Sequence, residues 1–278
     1  MPISEVPKEK VHSQSTTPQN GTLLWERVNF SGIGIGNVLT DPFTQFPSFS
    51  EYSYAAGIID VKFKDDLTKM EVLARSLILE GQLAEANEIF YQIEEILTMK
   101  NRTGGIFINN YRYFYNNYPT DPTRFAYPLT QAYLNSSEAK TLYNVSQDFN
   151  FVLCNGDINR AWAYDQSTSV SPQLEYVLNR TRVLIFSGAD DIECNTAGVL
   201  KFLSKLNWRG IKDWKQADRQ IWRTNSGVVG NVKISTNLTF VTVYKAGHNA
   251  AVYQPESVLD MIKRFIDNKS NWSFPYLF

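Results

Sequence analysis

The chain of 278 residues contains two histidines, His12 and His248. His12 lies in a polar N-terminal stretch, whereas His248 sits in the turn Ala246-Gly247-His248-Asn249, directly after the apolar run Leu238 to Tyr244. Another apolar run, Val183 to Phe186, breaks at Ser187-Gly188-Ala189 and is followed at once by Asp190, Asp191 and Glu193. Such runs read as buried parallel strands, and open α/β sheets place their chemistry beyond the carboxyl ends of such strands. A carboxylate and an imidazole thus come to one sheet edge, with Asp191 and His248 separated by 57 residues. In such a pair the imidazole is a general base, and the carboxylate fixes its tautomer and stabilises the imidazolium. A lone histidine is ordinarily a loop residue with a satisfied hydrogen bond. Here the two strand contexts outweigh that reading.

Acid before histidine along the chain is the order of an α/β-hydrolase, whose triad runs Ser…Asp/Glu…His. By position alone Asp190 and Asp191 are equal candidates for the acid. Glu193 reads as a surface or cleft charge rather than an acid catalyst. Cys194 reads as a small buried hydrophobe rather than a nucleophile, since no basic residue adjoins it to lower its pKa. The serine of such a triad stands in Gly-x-Ser-x-Gly, and no serine in the chain has glycine two residues before and two after. No metal or other cofactor is expected. One candidate histidine and the separated Cys154 and Cys194 offer no ligand spacing. Gly32, Gly34 and Gly36 lack the GxGxxG spacing, and no lysine follows them as in a P-loop.

The elements that must position these residues alternate between strand and helix. Phe30 to Ile35 reads as a core strand whose glycines admit close backbone approach, and Phe46 to Asp60 as a helix packing on the sheet. Residues 61–99 carry the strongest helical period: Leu67, Met70, Leu73 and Ala74, then Leu83, Ala86, Ile89, Phe90, Ile93, Ile96 and Leu97, with Gly81 as the break. Their Glu and Lys residues read as a solvated face. The Tyr/Asn run within Asn101 to Tyr118 reads as a loop-and-cap segment. Ser146 to Arg160 reads as an apolar return toward the sheet. Ser171 to Leu178 and Thr196 to Leu206 read as helices, the latter capped by Asn195 or Thr196. Trp208, Trp214 and Trp222 fall in a charged, turn-rich segment read as surface structure with aromatic anchors. Glu256 to Ile266 closes the chain as an amphipathic helix, apolar at Val258, Leu259, Ile262, Phe265 and Ile266. The class is α/β with a helical insertion. Residues 1–60 hold the first strand and helix of the core, 61–150 the helical cap insertion, and 151–278 the remaining core with the acid and the histidine.

At 31.8 kDa the chain can bury a full core. A net charge of −1 gives no reason to expect nucleic acid or an anionic membrane surface. No stretch approaches the roughly 18 apolar residues that span a bilayer, and the first residues carry no apolar signal-peptide segment. Asn-x-Ser/Thr occurs at Asn20, Asn29, Asn101, Asn135, Asn144, Asn179, Asn237, Asn268 and Asn271, which favours passage through a secretory pathway.

Three stretches resemble the serine carboxypeptidases: Ile35 to Pro42 (IGNVLTDP), Ser187 to Asn195 (SGADDIECN) and Ala246 to Ile262 (AGHNAAVYQPESVLDMI). The helical block 61–99 and Trp208-Arg209-Gly210 look most like the vitellogenic-like branch. The resemblance runs from about residue 30 to the end of the chain. It implies an α/β-hydrolase fold, Asp191 as the triad acid, His248 as the triad base, and Cys194 near the substrate's penultimate side chain. It further implies removal of C-terminal residues from peptides at acidic pH, in a glycoprotein of lysosome, vacuole or extracellular space. Family members carry the nucleophile as GESYAG shortly before the strand matching Phe30 to Ile35, and Pro2 to Val11 looks like the remains of the helix after it. The expectation is therefore an incomplete α/β-hydrolase fold holding the C-terminal part of the central sheet. It would be inactive alone, with the nucleophile on a separate N-terminal chain or segment. A catalytically dead binding glycoprotein and an acyltransferase of the same family are the competing readings.

Overall fold

The runs beginning at Val183 and Leu238 offer no polar face to water, so each needs cover on both sides. In the computed structural model, which describes residues 30, 32–98, 126–153 and 155–274, they lie side by side at the centre of a mixed sheet. Its strands are β1 (Ile33–Gly36), β2 (Val183–Gly188), β3 (Arg219–Thr224), β4 (Gly227–Ser235) and β5 (Leu238–Val243), in the order β1-β2-β5-β4-β3. β1, β2 and β5 run parallel, with Ile35 beside Ile185 and Ile185 beside Phe240. β4 returns antiparallel to β5, and β3 antiparallel to β4.

The helices are α1 (Pro42–Gln45), α2 (Phe49–Ala55), α3 (Val61–Leu79), α4 (Leu83–Thr98), α5 (Ala126–Leu134), α6 (Ser137–Leu142), α7 (Gly156–Ala161), α8 (Ala163–Gln166), α9 (Ser171–Leu178), α10 (Thr196–Leu203), α11 (Ile211–Gln216), α12 (Ala250–Tyr253) and α13 (Pro255–Ile266). Alternate residues of β2 face opposite sides. Val183 and Ile185 pack with Leu174 and Leu178 of α9 and with Val199, Phe202 and Leu203 of α10. Leu184 packs with Met261 and Phe265 of α13. A third cluster joins α2, α3 and α4 through Phe49, Leu67, Phe90, Ile93 and Leu97, and reaches Ile192 beyond the end of β2. Contacts divide the chain into the units Met1–Phe30 and Ser31–Phe278. All these elements belong to the second, and of the first only Phe30 is described. No helix among the described residues is long and apolar enough to cross a membrane.

The local signals hold at several points. Gly81 ends α3 at φ +77°, a conformation glycine reaches without steric cost. Asn195 caps α10 by accepting from the Gly198 amide at 2.9 Å. Other readings change. β1 begins at Ile33 rather than Phe30, because Gly32 lies at φ +143°. In the return over Ser146 to Arg160 the apolar Val152 and Leu153 are exposed, and α7 starts at Gly156. Trp208, Trp214 and Trp222 are buried core residues, and the segment around Trp222 is the β3–β4 hairpin. Its alternating Arg219-Gln220-Ile221-Trp222-Arg223 pattern belongs to an edge strand with one buried ring. On α3, Leu73 is exposed and Glu71 is buried, accepting from the Ser50 amide and hydroxyl at 2.7 Å each. On α13, Leu259, Ile262 and Ile266 are exposed, whereas Asp260 and Arg264 are buried beside Val258, Met261 and Phe265. The Tyr/Asn run, Cys154 and Pro2 to Val11 lie outside the described residues.

Candidate active site

The site is built at the carboxyl ends of β2 and β5. Gly188, the last residue of β2, has no room for a side chain: a Cβ there would meet the carbonyl oxygens of Ala246 and Gly247 at 2.2 Å. That close approach lets the loop after β5 lie directly over the end of β2. Ala189 N–H donates to Val243 O at 2.8 Å and Asp190 N–H to Ala246 O at 2.9 Å, stitching the acid loop to the histidine loop. Tyr52 of α2 donates its hydroxyl to Ala189 O at 2.8 Å.

Across this seam His248 Nδ1 lies 3.1 Å from Asp191 Oδ2. Asp191 is fully buried and its other oxygen, Oδ1, accepts from the Cys194 amide at 3.1 Å. The carboxylate is thereby locked in one orientation. Of the two adjacent aspartates, the imidazole bonds Asp191. In the neutral ring, a proton on Nδ1 donated to Asp191 leaves Nε2 with its lone pair.

Asn37 closes the arrangement from the third parallel strand. Just past β1 it adopts φ +52°, a left-handed conformation that asparagine tolerates better than most residues. Its amide N–H donates to Phe186 O at 3.1 Å and its side-chain Nδ2 donates to His248 O at 2.6 Å. Its own carbonyl accepts from Cys194 Sγ at 3.3 Å. One residue thus ties β1, β2, the acid loop and the histidine loop together.

Two more carboxylates surround the pair. Glu193 Oε2 is 3.6 Å from His248 Nδ1, is buried, and has no hydrogen-bond partner among the described residues. Burial pushes the Glu193 carboxyl up to about 7; the positive charge of His248 opposes the shift, and the negative charges of Asp191 and Glu94 add to it. Glu94, on α4, is also raised by burial, opposed by His248. For His248, burial alone would lower the pKa. The hydrogen bond and charge of Asp191, then the charges of Glu193 and Glu94, outweigh burial and raise it. The Cys194 thiol is pushed well up by burial and by the charges of Asp191 and Glu193.

The sequence spacing offered no metal ligand set, yet the fold brings ligand atoms of Asp191, Cys194 and His248 within 4.8 Å of one another. Their chemistry does not suit an ion. The thiol is held protonated and donates to Asn37 O, and the imidazole and Asp191 are already bonded to each other. The cluster is an acid–imidazole pair with a neutral thiol beside it. Sequence reasoning missed Glu94 and the role of Asn37. Nothing separates Glu94 from the other glutamates of α4 until the helix is docked. The Gly36-Asn37 step at the end of a strand was the one available signal for Asn37.

Glu71, Glu94, Glu193 and His248 all hold protons more tightly in the fold than at their ordinary values. Their stabilising contribution is fully present below the ordinary values, 4.5 for the glutamates and 6.5 for the histidine, and is lost as pH rises through the folded ones. The urea midpoint is therefore expected to fall as pH rises from 4.5 to about 7, the interval over which Glu193 contributes. A midpoint that climbs across this interval contradicts the reading.

Comparison with known proteins shows the family and the fold. The model of a family described as serine carboxypeptidase matches residues 8–268. Serine carboxypeptidase-like 50 of Arabidopsis thaliana is 30% identical over 244 residues, covering 87% of this chain and 53% of that protein. The venom serine carboxypeptidase of Apis mellifera is 27% identical over 249 residues, covering 87% and 52%. The chain thus spans about half the length of the curated relatives it matches. The crystal structure of a prohormone-processing carboxypeptidase from Saccharomyces cerevisiae superposes with a TM-score of 0.65 at 22% identity, over 89% of this chain and 56% of that one. That likeness shows the fold, an α/β-hydrolase.

Proposed function

We propose that this chain, which belongs to the serine carboxypeptidase family, supplies the acid and the base of a serine-type carboxypeptidase, with the attacking hydroxyl coming from a Gly-x-Ser-x-Gly segment not contained in its 278 residues. The observation that carries the reading is the 3.1 Å contact between Asp191 Oδ2 and His248 Nδ1 at the ends of two adjacent parallel strands. With Nδ1 protonated toward Asp191, Nε2 takes the proton of a serine hydroxyl as its oxygen attacks the carbonyl of a peptide's last bond. The imidazolium then gives that proton to the departing amine, releasing the C-terminal residue. Water, deprotonated by the same nitrogen, cleaves the acyl-serine ester. Asp191 stabilises the imidazolium throughout. Cys194, neutral and beside the acid, lines the wall near the substrate's penultimate side chain. None of these steps uses a metal or cofactor, and the partner is a peptide rather than nucleic acid or membrane.

The purified chain is expected to release no free amino acid from a blocked dipeptide and to resist labelling by a fluorophosphonate. The chain joined to an upstream segment bearing the Gly-x-Ser-x-Gly elbow is expected to do both. Activity in the chain alone, or none in the joined protein when it is folded, would overturn the proposal.

The sequons support a secreted, lysosomal or vacuolar glycoprotein, and the fold separates them. Asn144, Asn268 and Asn271 are exposed, and their side-chain amide nitrogens make no hydrogen bond among the described residues. Asn135 Nδ2 donates to both Gln131 O and Phe151 O, leaving no hydrogen for a glycosidic bond. Asn179 and Asn237 each donate Nδ2 to a backbone carbonyl at 2.8 Å. Expression through a secretory host followed by enzymatic deglycosylation and peptide mass spectrometry is expected to find glycans at Asn144, Asn268 and Asn271 and none at Asn135. Full occupancy of Asn135 in folded protein would contradict this.

A further inference from the structure

We propose that Glu193 is a second carboxylate partner of His248, one that sets the pH at which the neutral imidazole appears while Asp191 sets its tautomer. The inference deepens the reading of His248 as the base, and it stands on the arrangement of groups around one nitrogen. Asp191 Oδ2 and Glu193 Oε2 lie 3.1 Å and 3.6 Å from Nδ1. They come from the same loop after β2, two residues apart, so both oxygens converge on Nδ1. Asp191 is anchored by the Cys194 amide. The buried Oε2 of Glu193 has no such anchor: among the described residues it accepts no hydrogen bond, and the imidazole is its neighbouring positive group. A buried carboxylate oxygen without a donor is costly, and a protonated imidazole beside it offsets that cost.

The groups facing His248 come from three elements: Asp191, Glu193 and Cys194 from the loop after β2, Glu94 from α4, and Asn37 from the end of β1. Asn37 is uncharged and the Cys194 thiol is held neutral, so among the described residues three carboxylates act on the ring. Besides Asp191, Glu193 brings a carboxylate oxygen to 3.6 Å from Nδ1. When Glu193 is ionised, removing the proton from His248 leaves anions facing a neutral ring, so the base form is postponed to higher pH. When Glu193 carries a proton, Asp191 and Glu94 alone hold the imidazolium and the base form appears sooner. Glu193 therefore acts as a positioning residue for the proton on the ring, without touching a substrate.

The test reads the histidine itself and needs no nucleophile, so it separates this inference from the peptidase reading. The full chain is labelled with ¹³C,¹⁵N-histidine and the imidazole resonances are followed by NMR against pH, with His12→Gln assigning the signals. Glu193→Gln is expected to lower the His248 midpoint by about one pH unit. Glu193→Asp, which keeps the charge, is expected to stay closer to the wild type than to Glu193→Gln. An unchanged midpoint in Glu193→Gln would overturn the proposal, and so would an equal fall in both variants, since that would trace the effect to packing rather than charge. In the protein joined to its nucleophile segment, the acid limb of the pH–rate profile is expected to move with the NMR midpoint. A dead joined protein with the NMR shift intact would sink the peptidase reading and leave this one standing.

Discussion

On the proposed reading, replacing Asp191 with asparagine is expected to lower turnover about 10⁴-fold in the chain joined to an upstream segment bearing the Gly-x-Ser-x-Gly elbow, with little change in folding. The amide is isosteric with the carboxylate, and its oxygen can still accept from the Cys194 amide in the place of Oδ1. Its nitrogen then occupies the place of Oδ2, 3.1 Å from His248 Nδ1. A donor there forces Nδ1 to accept, which moves the ring proton to Nε2, the atom that must take a proton from the attacking hydroxyl. The base is present but in the wrong tautomer. The measurement is kcat on a blocked dipeptide, with circular dichroism to show that the fold is kept. A folded Asp191→Asn protein that keeps more than about a tenth of wild-type kcat would remove Asp191 from the machinery. Asp190, whose amide is tied to Ala246 O, gives the matched control: Asp190→Asn leaves the tautomer of His248 unaffected and is expected to cost far less.

The second large effect lies away from the site, under the β3–β4 hairpin. Arg264 is almost fully buried on α13, with Nε donating to Asp260 Oδ2 at 2.6 Å. The same oxygen accepts from Trp222 Nε1 at 2.7 Å. The guanidinium also donates to Phe274 O at 3.1 Å and Arg223 O at 3.0 Å, and stacks toward the Trp272 ring. Asp260→Ala removes the charge facing a buried cation and strips Trp222 of its acceptor. The expected loss is about 3–5 kcal/mol, read from urea denaturation. Asp260→Leu combined with Arg264→Met keeps the volume and removes both charges, so it is expected to cost less than the single change. A loss below about 1 kcal/mol for Asp260→Ala would mean that the guanidinium is held well enough without Asp260.

That network also shows where reading along the chain misleads. The apolar positions of α13 are amphipathic on paper, yet Leu259, Ile262 and Ile266 face outward while a charged pair four residues apart faces the core. The helix exists because its local period and its Pro255 start favour it. Which stripe is buried depends on what lies underneath, here Trp222 and Trp272, supplied by distant segments. The hairpin containing Trp222 was missed for a related reason. Its residues alternate with charge, and its pairing partners in β4 are known only once the chain has turned.

What the amino-acid order determined by itself was the existence of two apolar parallel strands, the histidine beyond one and the acids beyond the other, and the α/β class that follows from them. These are local properties: an unbroken apolar run, a glycine turn, a helical period interrupted at Gly81. By position the two aspartates were equal and the family resemblance pointed to Asp191; the tertiary structure shows Asp191 bonded to the ring, and it alone decided that Glu193 and Glu94 add to its field and that the Cys194 thiol faces Asn37. Those outcomes depend on distances of 3–4 Å between groups tens to hundreds of residues apart. Burial and charge at such distances are set by packing, which no pattern along the chain encodes.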